Sequence, residues 1–130
     1  DLGTHRFTYA LLPGAGVGDA VAEGLALNLP LRRAAVPRLE PLVSVDDPAV
    51  TVESVKLAED RSGDVVVRLY ESRGGRARAK VTTGFPVARA EVTDLLERPL
   101  REAPSEIGLR PFQILTLRLR PAREDRGAQV

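Results

Sequence analysis

Apolar and polar residues alternate along most of the chain, a pattern typical of strands that bury one face. This alternation predicts strands over residues 4–11, 41–45, 50–59, 64–73, 76–82, 86–96 and 109–120. Turn residues separate the segments about every ten residues, a spacing that indicates an antiparallel β-sandwich. The pattern therefore predicts an all-β fold, an antiparallel β-sandwich of seven to eight strands.

One segment near the start departs from this two-residue period. Val17, Val21 and Leu25 recur every four residues, which is the spacing of one face of an α-helix. Asp19 is a residue type that caps the start of helices. We therefore expect one short helix near residues 18–28.

Two glycine-containing segments predict turns. The Gly-Gly pair at 74–75 indicates a tight hairpin that joins the strands predicted over 64–73 and 76–82. The segment "EDRSGD" carries oxygen-bearing residues at the spacing of a calcium loop, but Val65 stands where that loop needs glycine. The residues after it also alternate as a strand, so we interpret this segment as a hairpin turn.

The chain shows no internal linker or repeat, which predicts one β-sandwich domain over residues 1–120. Residues 121–130 are polar and without period, and we expect a disordered tail there.

Composition narrows the function classes. The 19 basic and 18 acidic residues nearly cancel, which argues against nucleic-acid or anionic-membrane partners. The absence of cysteine excludes disulfides and thiolate sites and favours a cytoplasmic location. The sequence also has no methionine, so we expect it to be part of a larger protein.

Candidate chemistry is sparse. The only histidine, His5, shares one face of the first predicted strand with Phe7 and Tyr9, and Tyr70 neighbours Glu71 on the strongest predicted strand. All five aromatic residues lie in or beside predicted strands, which favours core positions for them. Glu71 lies at the end of a strand, where an acidic residue is typically at the surface. We expect no autonomous active site and no metal site. The candidate inter-domain or sugar-facing surface consists of His5, Phe7, Tyr9, Tyr70 and Glu71.

Six ordered segments resemble the C-terminal β region of glycoside hydrolase family 38 α-mannosidases. The match covers roughly residues 1–119 and rests on "DLGTHRFTYALLP", "AVAEGLALNLPL", "VSVDDPAVTVESVKLAED", "VVVRLYESRGGRARAKV", "ARAEVTDLLERPL" and "LRPFQILTLRLR".

The resemblance implies a parent enzyme that is a zinc-dependent retaining mannosidase of terminal α-mannosides. In that family the zinc ligands and the nucleophile belong to an N-terminal catalytic domain, whose motifs are absent here, so no catalytic or zinc-binding residue is assigned. The implied role is a C-terminal β-domain that packs on the catalytic domain, is inactive alone and needs no cofactor. An apolar patch left where the catalytic domain was removed could also drive self-association of the excised fragment. A carbohydrate-binding module and a free-standing interaction or adhesion sandwich remain as alternatives.

Overall fold

The computed structural model describes residues 2–29, 31, 33, 35 and 39–122. The chain divides into two compact units, Asp1–Pro37 and Arg38–Val130, here named the N-terminal unit and the C-terminal unit. In the described part of the chain, no helix has the length and apolar content needed to span a bilayer.

The N-terminal unit contains one helix, α1 (Val17–Asn28), which confirms the predicted helix. The backbone N–H of Gly16 donates to Asp19 Oδ2 at 2.9 Å, so Asp19 caps the helix from inside its first turn. None of the residues of α1 is buried. The apolar face that the sequence predicts is partly exposed, with Val21 half-buried and Leu25 38% exposed.

The strand predicted over residues 4–11 is wrong. These residues are not assigned to a strand and pair with no other strand in the described parts of the chain. A strand needs a neighbour to bond its alternating N–H and C=O groups, and alternation alone does not supply one.

The C-terminal unit is built from nine antiparallel strands. They are β1 (Val43–Val45), β2 (Val50–Leu57), β3 (Val65–Glu71), β4 (Ala77–Ala79), β5 (Val81–Thr83), β6 (Val87–Thr93), β7 (Pro99–Glu102), β8 (Ile107–Leu109) and β9 (Ile114–Pro121). Five form the large sheet, in the order β2-β3-β9-β6-β7, and two small sheets pair β1 with β5 and β4 with β8. The predicted all-β, antiparallel β-sandwich is confirmed, with nine strands among the described residues.

The core lies between the large sheet and the small sheets. Strands β3 and β9 direct alternate residues inward, and β4 and β8 face them with small and branched side chains. The buried cluster contains Val50, Val67, Leu69, Ala77, Ala79, Val92, Ile107, Leu109, Leu115, Leu117 and Leu119. Burial of this continuous apolar cluster stabilises the C-terminal unit.

The tight hairpin predicted at Gly74–Gly75 is wrong. A turn does occur there, with Gly74 at φ +76°, but the strands on its two sides belong to different sheets. Strand β3 pairs with β2 and β9, whereas β4 pairs with β8. The turn therefore carries the chain from the large sheet to a small one.

Two predicted strands are each split in two. The segment 76–82 breaks between β4 and β5 at Lys80, whose N–H donates to Asp46 Oδ1 at 2.7 Å. The segment 109–120 breaks at a turn between β8 and β9. Strand β7 was not predicted; all four of its residues are exposed, so burial imposes no pattern on them.

The turn at 59–64 joins β2 to β3 as a hairpin, as predicted. Its oxygens are bound by Arg118, which lies 2.7 Å from Asp64, 2.6 Å from Asp60 and 3.0 Å from the Ser62 hydroxyl. The hydrogen bond from Arg118 lowers the pKa of Asp60 to about 2, with the Ser62 hydroxyl adding to the effect. Arg118 thus binds oxygens of three residues of this turn.

A second turn crosses the outer face of the large sheet. Glu97, between β6 and β7, accepts from Lys56 at 2.6 Å and from the Glu59 N–H at 2.8 Å, both at the far edge of the sheet. Lys56 lowers the pKa of Glu97, and the Arg98 N–H lowers the pKa of Asp94 at the start of the turn. The turn is therefore fixed at both ends by ionised carboxylates.

The described chain ends just beyond β9. Pro121 is the last residue of this strand, and the Ala122 N–H donates to the Pro86 carbonyl at 2.8 Å. The remainder of the predicted tail, residues 123–130, lies outside the described residues. The predicted domain boundary at residue 120 stays a prediction.

Candidate functional site

A cleft opens on the side of the large sheet that faces away from the core. Alternation along β3 places Arg68 and Tyr70 on this side, and Tyr70 pairs across the sheet with Ile114 of β9. The cleft has a volume of about 350 Å³ and is lined by Glu53, Arg68, Tyr70, Glu71, Phe112 and Ile114. We refer to these six residues as the Tyr70 cleft.

Glu71 is fully buried beside this cleft, with 0% of its surface exposed. Its carboxylate accepts from the backbone N–H groups of Arg73 and Gly74 at 2.8 Å and of Phe112 at 2.9 Å. These donors, the Phe112 N–H foremost, lower the pKa of Glu71 despite its burial. The expectation that this acid lies at the surface is wrong, because Glu71 continues the core-facing row of Leu69.

Phe112 is presented at the rim of the cleft by a strained turn. The Gln113 N–H donates to the Arg110 carbonyl at 3.0 Å, and Phe112 between them has φ +56°. This left-handed conformation costs a residue with a side chain about 1–2 kcal/mol. The hydrogen bond to Glu71 holds it, and the ring remains 70% exposed, which corrects its expected core position.

The Phe112 ring lies against Gly74. A Cβ atom at position 74 would approach Phe112 Cζ to 2.8 Å, too close for any other residue without a shift. Gly74 also has φ +76°, which favours glycine independently. The turn after β3 and the turn before β9 are therefore fitted to each other, with Glu71 binding both.

Three polar side chains of the Tyr70 cleft, those of Glu53, Arg68 and Tyr70, have no partners among the described residues. Arg68 Nε is buried without a hydrogen bond, and no ion pair to its guanidinium is present there. The Glu53 carboxylate and the Tyr70 hydroxyl likewise have no bonding group in the described ranges. A buried donor left unpaired costs about 1–3 kcal/mol, so the cleft is suited to a ligand that supplies hydrogen-bonding groups.

The other three predicted site residues lie in the N-terminal unit. His5 is exposed, and Phe7 and Tyr9 are 83% and 85% exposed, which corrects their expected core positions. The Phe7 and Tyr9 rings are neighbours, with centroids 6.5 Å apart. Together with Leu11, which is 90% exposed, they form an apolar row that we call the aromatic strip.

The surroundings of Glu71 hold it as an ionised hydrogen-bond acceptor. The oxygens of Glu71 are engaged by backbone donors, and its lowered pKa keeps it ionised at neutral pH. Among the described residues there is no group of three or more His, Asp or Glu placed to hold a metal ion. We therefore derive no catalytic step through these residues.

Sequence reasoning missed Glu53, Arg68 and Ile114 as site residues. It also placed Phe112 in the core. The usable signal was the segment "RPFQ", since proline at its second position favours a turn rather than a continuous strand. The contact between this turn and the turn after β3 was not predictable from the residues of either turn.

Comparison with known proteins is consistent with this architecture. A model of the family described as glycosyl hydrolases family 38 C-terminal beta sandwich domain matches residues 49–117, just over half of the chain. Alpha-mannosidase 2C1 of Homo sapiens is 36% identical over 136 residues, covering 92% of this chain and 13% of its own length.

Two further relatives show the same relation. Alpha-mannosidase 2C1 of Mus musculus is 33% identical, covering 92% of this chain and 13% of its own. Alpha-mannosidase G of Dictyostelium discoideum is 29% identical, covering 91% and 12%. The chain thus spans about an eighth of the length of these relatives. With the family match and the antiparallel sandwich together, the chain belongs to the C-terminal beta sandwich domain family of the family 38 glycosyl hydrolases.

Proposed function

We propose that this chain is the non-catalytic C-terminal β-domain of an α-mannosidase, and that its N-terminal unit docks on the catalytic domain and stabilises it. The main observation behind this proposal is that α1 has no buried residue and that the aromatic strip is exposed. The names of the relatives and the small share of their length that the chain spans support this role.

The physical support is the free energy that the exposed residues of the N-terminal unit would gain on burial. Burial of one large apolar side chain is worth about 1.5–3 kcal/mol, and the aromatic strip offers three such side chains. Exposed apolar surface of this kind is typical of a protein contact. An excised chain is expected to self-associate through the same residues.

The activity belongs, in this proposal, to the rest of the parent. We propose a zinc-dependent retaining hydrolysis of terminal α-mannosides, with the metal ligands and nucleophile outside this chain. A cytoplasmic location is proposed for the parent because the chain has no cysteine and so forms no disulfide, which fits a reducing compartment.

The docking proposal is tested on the full-length parent. A variant with Phe7→Ser, Tyr9→Ser and Leu11→Ser is expected to lower the Tm of the parent by about 5 °C or more, because three apolar contacts are lost. Leu100→Ser, at an exposed leucine of β7, is the matched control and leaves the Tm within about 1 °C. An unchanged Tm in the triple variant contradicts the proposal.

The non-catalytic role is tested by hydrolysis of an aryl α-mannoside. The full-length parent is expected to be active with zinc, and the 130-residue chain is expected to be inactive with or without zinc. Turnover by the chain alone would show that a catalytic site lies within it.

A further inference from the structure

We propose that the Tyr70 cleft binds a mannoside through its ring face and its vicinal hydroxyls. The choice of mannose over other neutral sugars rests on the proposed function. The site itself rests on side chains of the C-terminal unit and does not depend on the docking of the N-terminal unit.

The chemistry of the cleft fits a neutral polyhydroxylated ring. Tyr70, Phe112 and Ile114 supply apolar surface on which the C–H face of a sugar can lie. Arg68 offers donors and Glu53 offers acceptors, and neither is paired within the described residues. Pockets of a few hundred Å³ with apolar walls and few polar groups are typical of small-molecule sites.

Other ligand classes fit less well. An anionic ligand that pairs with Arg68 would meet the Glu53 carboxylate on the same cleft. A purely apolar ligand, or an apolar side chain of the parent, would leave both Arg68 and Glu53 desolvated without partners. Vicinal hydroxyls satisfy both groups at once, since each hydroxyl donates and accepts.

The strained turn supports a binding role for the Phe112 ring. Glycine would adopt φ +56° without the penalty that phenylalanine meets, so the turn alone does not explain an aromatic there. The ring is also 70% exposed, so burial in the core does not explain it either. Glu71 and Gly74 fix the ring in place before any ligand arrives, which lowers the entropy cost of binding.

The test is a titration of the complete 130-residue chain, followed by NMR, with methyl α-mannoside to about 10 mM. Saturable shifts at cleft residues are expected, with a Kd near 1 mM, as is typical of a single exposed sugar contact. Methyl α-galactoside is the matched control ligand and is expected to bind at least about threefold more weakly.

Three variants locate the site. Arg68→Gln and Phe112→Ala are each expected to weaken mannoside binding at least about tenfold, because a charged donor or the stacking ring is lost. Phe7→Ala is the matched control, since Phe7 is an exposed phenylalanine of the N-terminal unit, and it leaves the Kd unchanged. If either of these variants fails to fold, Glu53→Ala replaces it, since Glu53 is exposed. Glu53→Ala is likewise expected to weaken mannoside binding at least about tenfold.

Absence of saturable binding by the unmodified chain overturns the inference, as does binding that the cleft variants leave intact. A fall in the Tm of the full-length parent with Arg68→Gln, without sugar binding by the chain, would assign the cleft to a protein contact and overturn it too. The docking proposal is judged separately, by the aromatic-strip variant of the parent, so either can fail alone.

Discussion

Apolar residues recur periodically in both units of the chain, but they are buried to different extents in the two units. In the C-terminal unit the apolar rows of β3 and β9 lie in a closed core, where Leu69 and Leu117 are at most 2% exposed. In the N-terminal unit α1 has no buried residue, and residues 4–11 alternate without joining a sheet among the described residues. Periodicity therefore shows that a segment has an apolar face, but not how deeply that face is buried.

The sharpest test of this difference is a matched pair of leucine truncations. Leu117→Ala is expected to lower the free energy of unfolding by about 2–5 kcal/mol, because it leaves a cavity in the core. Leu25→Ala, on the half-exposed face of α1, is expected to change it by less than about 0.5 kcal/mol, since alanine is a strong helix former. Urea unfolding measures both, and equal losses would contradict the contrast between the units.

The buried carboxylate of the C-terminal unit gives the next largest effect. Glu71→Gln is expected to lower the Tm by about 5–15 °C, because an amide places its own donors against the three backbone N–H groups that Glu71 accepts. Glu102→Gln is the control, on an exposed strand residue, and leaves the Tm unchanged. Calorimetry compares the two; similar small shifts would mean that the carboxylate does not hold the turns.

The acid side of the stability profile follows from the lowered pKa values. Glu71, Glu97 and Asp94 have pKa values below their ordinary 4.5, 4.5 and 3.8, and that of Asp60 falls from 3.8 to about 2. As the pH falls, the unfolded chain takes up protons first, so these groups stabilise the fold above about pH 4.5 and that stability is lost towards pH 2. The urea concentration at the unfolding midpoint is expected to decrease as the pH is lowered from about 4.5 towards 2. A midpoint that stays constant from about pH 6 to pH 2 would contradict this prediction.

The smallest effect concerns the strained turn at Phe112. Phe112→Gly and Phe112→Ala both remove the ring, but only glycine relieves the backbone at φ +56°. The glycine variant is therefore expected to be more stable than the alanine variant by about 1 kcal/mol. Equal stability of the two variants in urea would show that the left-handed conformation is not strained.

The parts of the fold that were predictable from the sequence are those that local burial decides. Strands β2, β3 and β6 lie within their predicted segments. Helix α1 was predicted from the four-residue spacing of its apolar residues rather than from burial, since none of its residues is buried. Pairing was not predictable, because it depends on residues far apart in the chain. Leu69 of β3 lies opposite Leu115 of β9, whereas the local glycine pair predicted a partner across the next turn.

The candidate site was predictable only in part for the same reason. Tyr70 and Glu71 were identified from their strand, but burial of Glu71 requires donors from Arg73 on one turn and Phe112 on another. The position of Phe112 depends on that carboxylate and on the space above Gly74. These are contacts between distant segments, and alternation carries no information about them.

The place of β9 has a consequence for biosynthesis. It is the last strand of the described chain, yet it lies at the centre of the large sheet, between β3 and β6. On the ribosome, the β2–β3 and β6–β7 hairpins must therefore wait as separate halves, each with an open edge towards the other, until β9 emerges. Arg118 arrives with the same strand, so the acidic turn before β3 remains without its cation until then. The chain must be synthesised through β9 before the sheet can close, which exposes the unfinished sheet to premature strand pairing. Strand β9 is therefore the least dispensable strand of the large sheet.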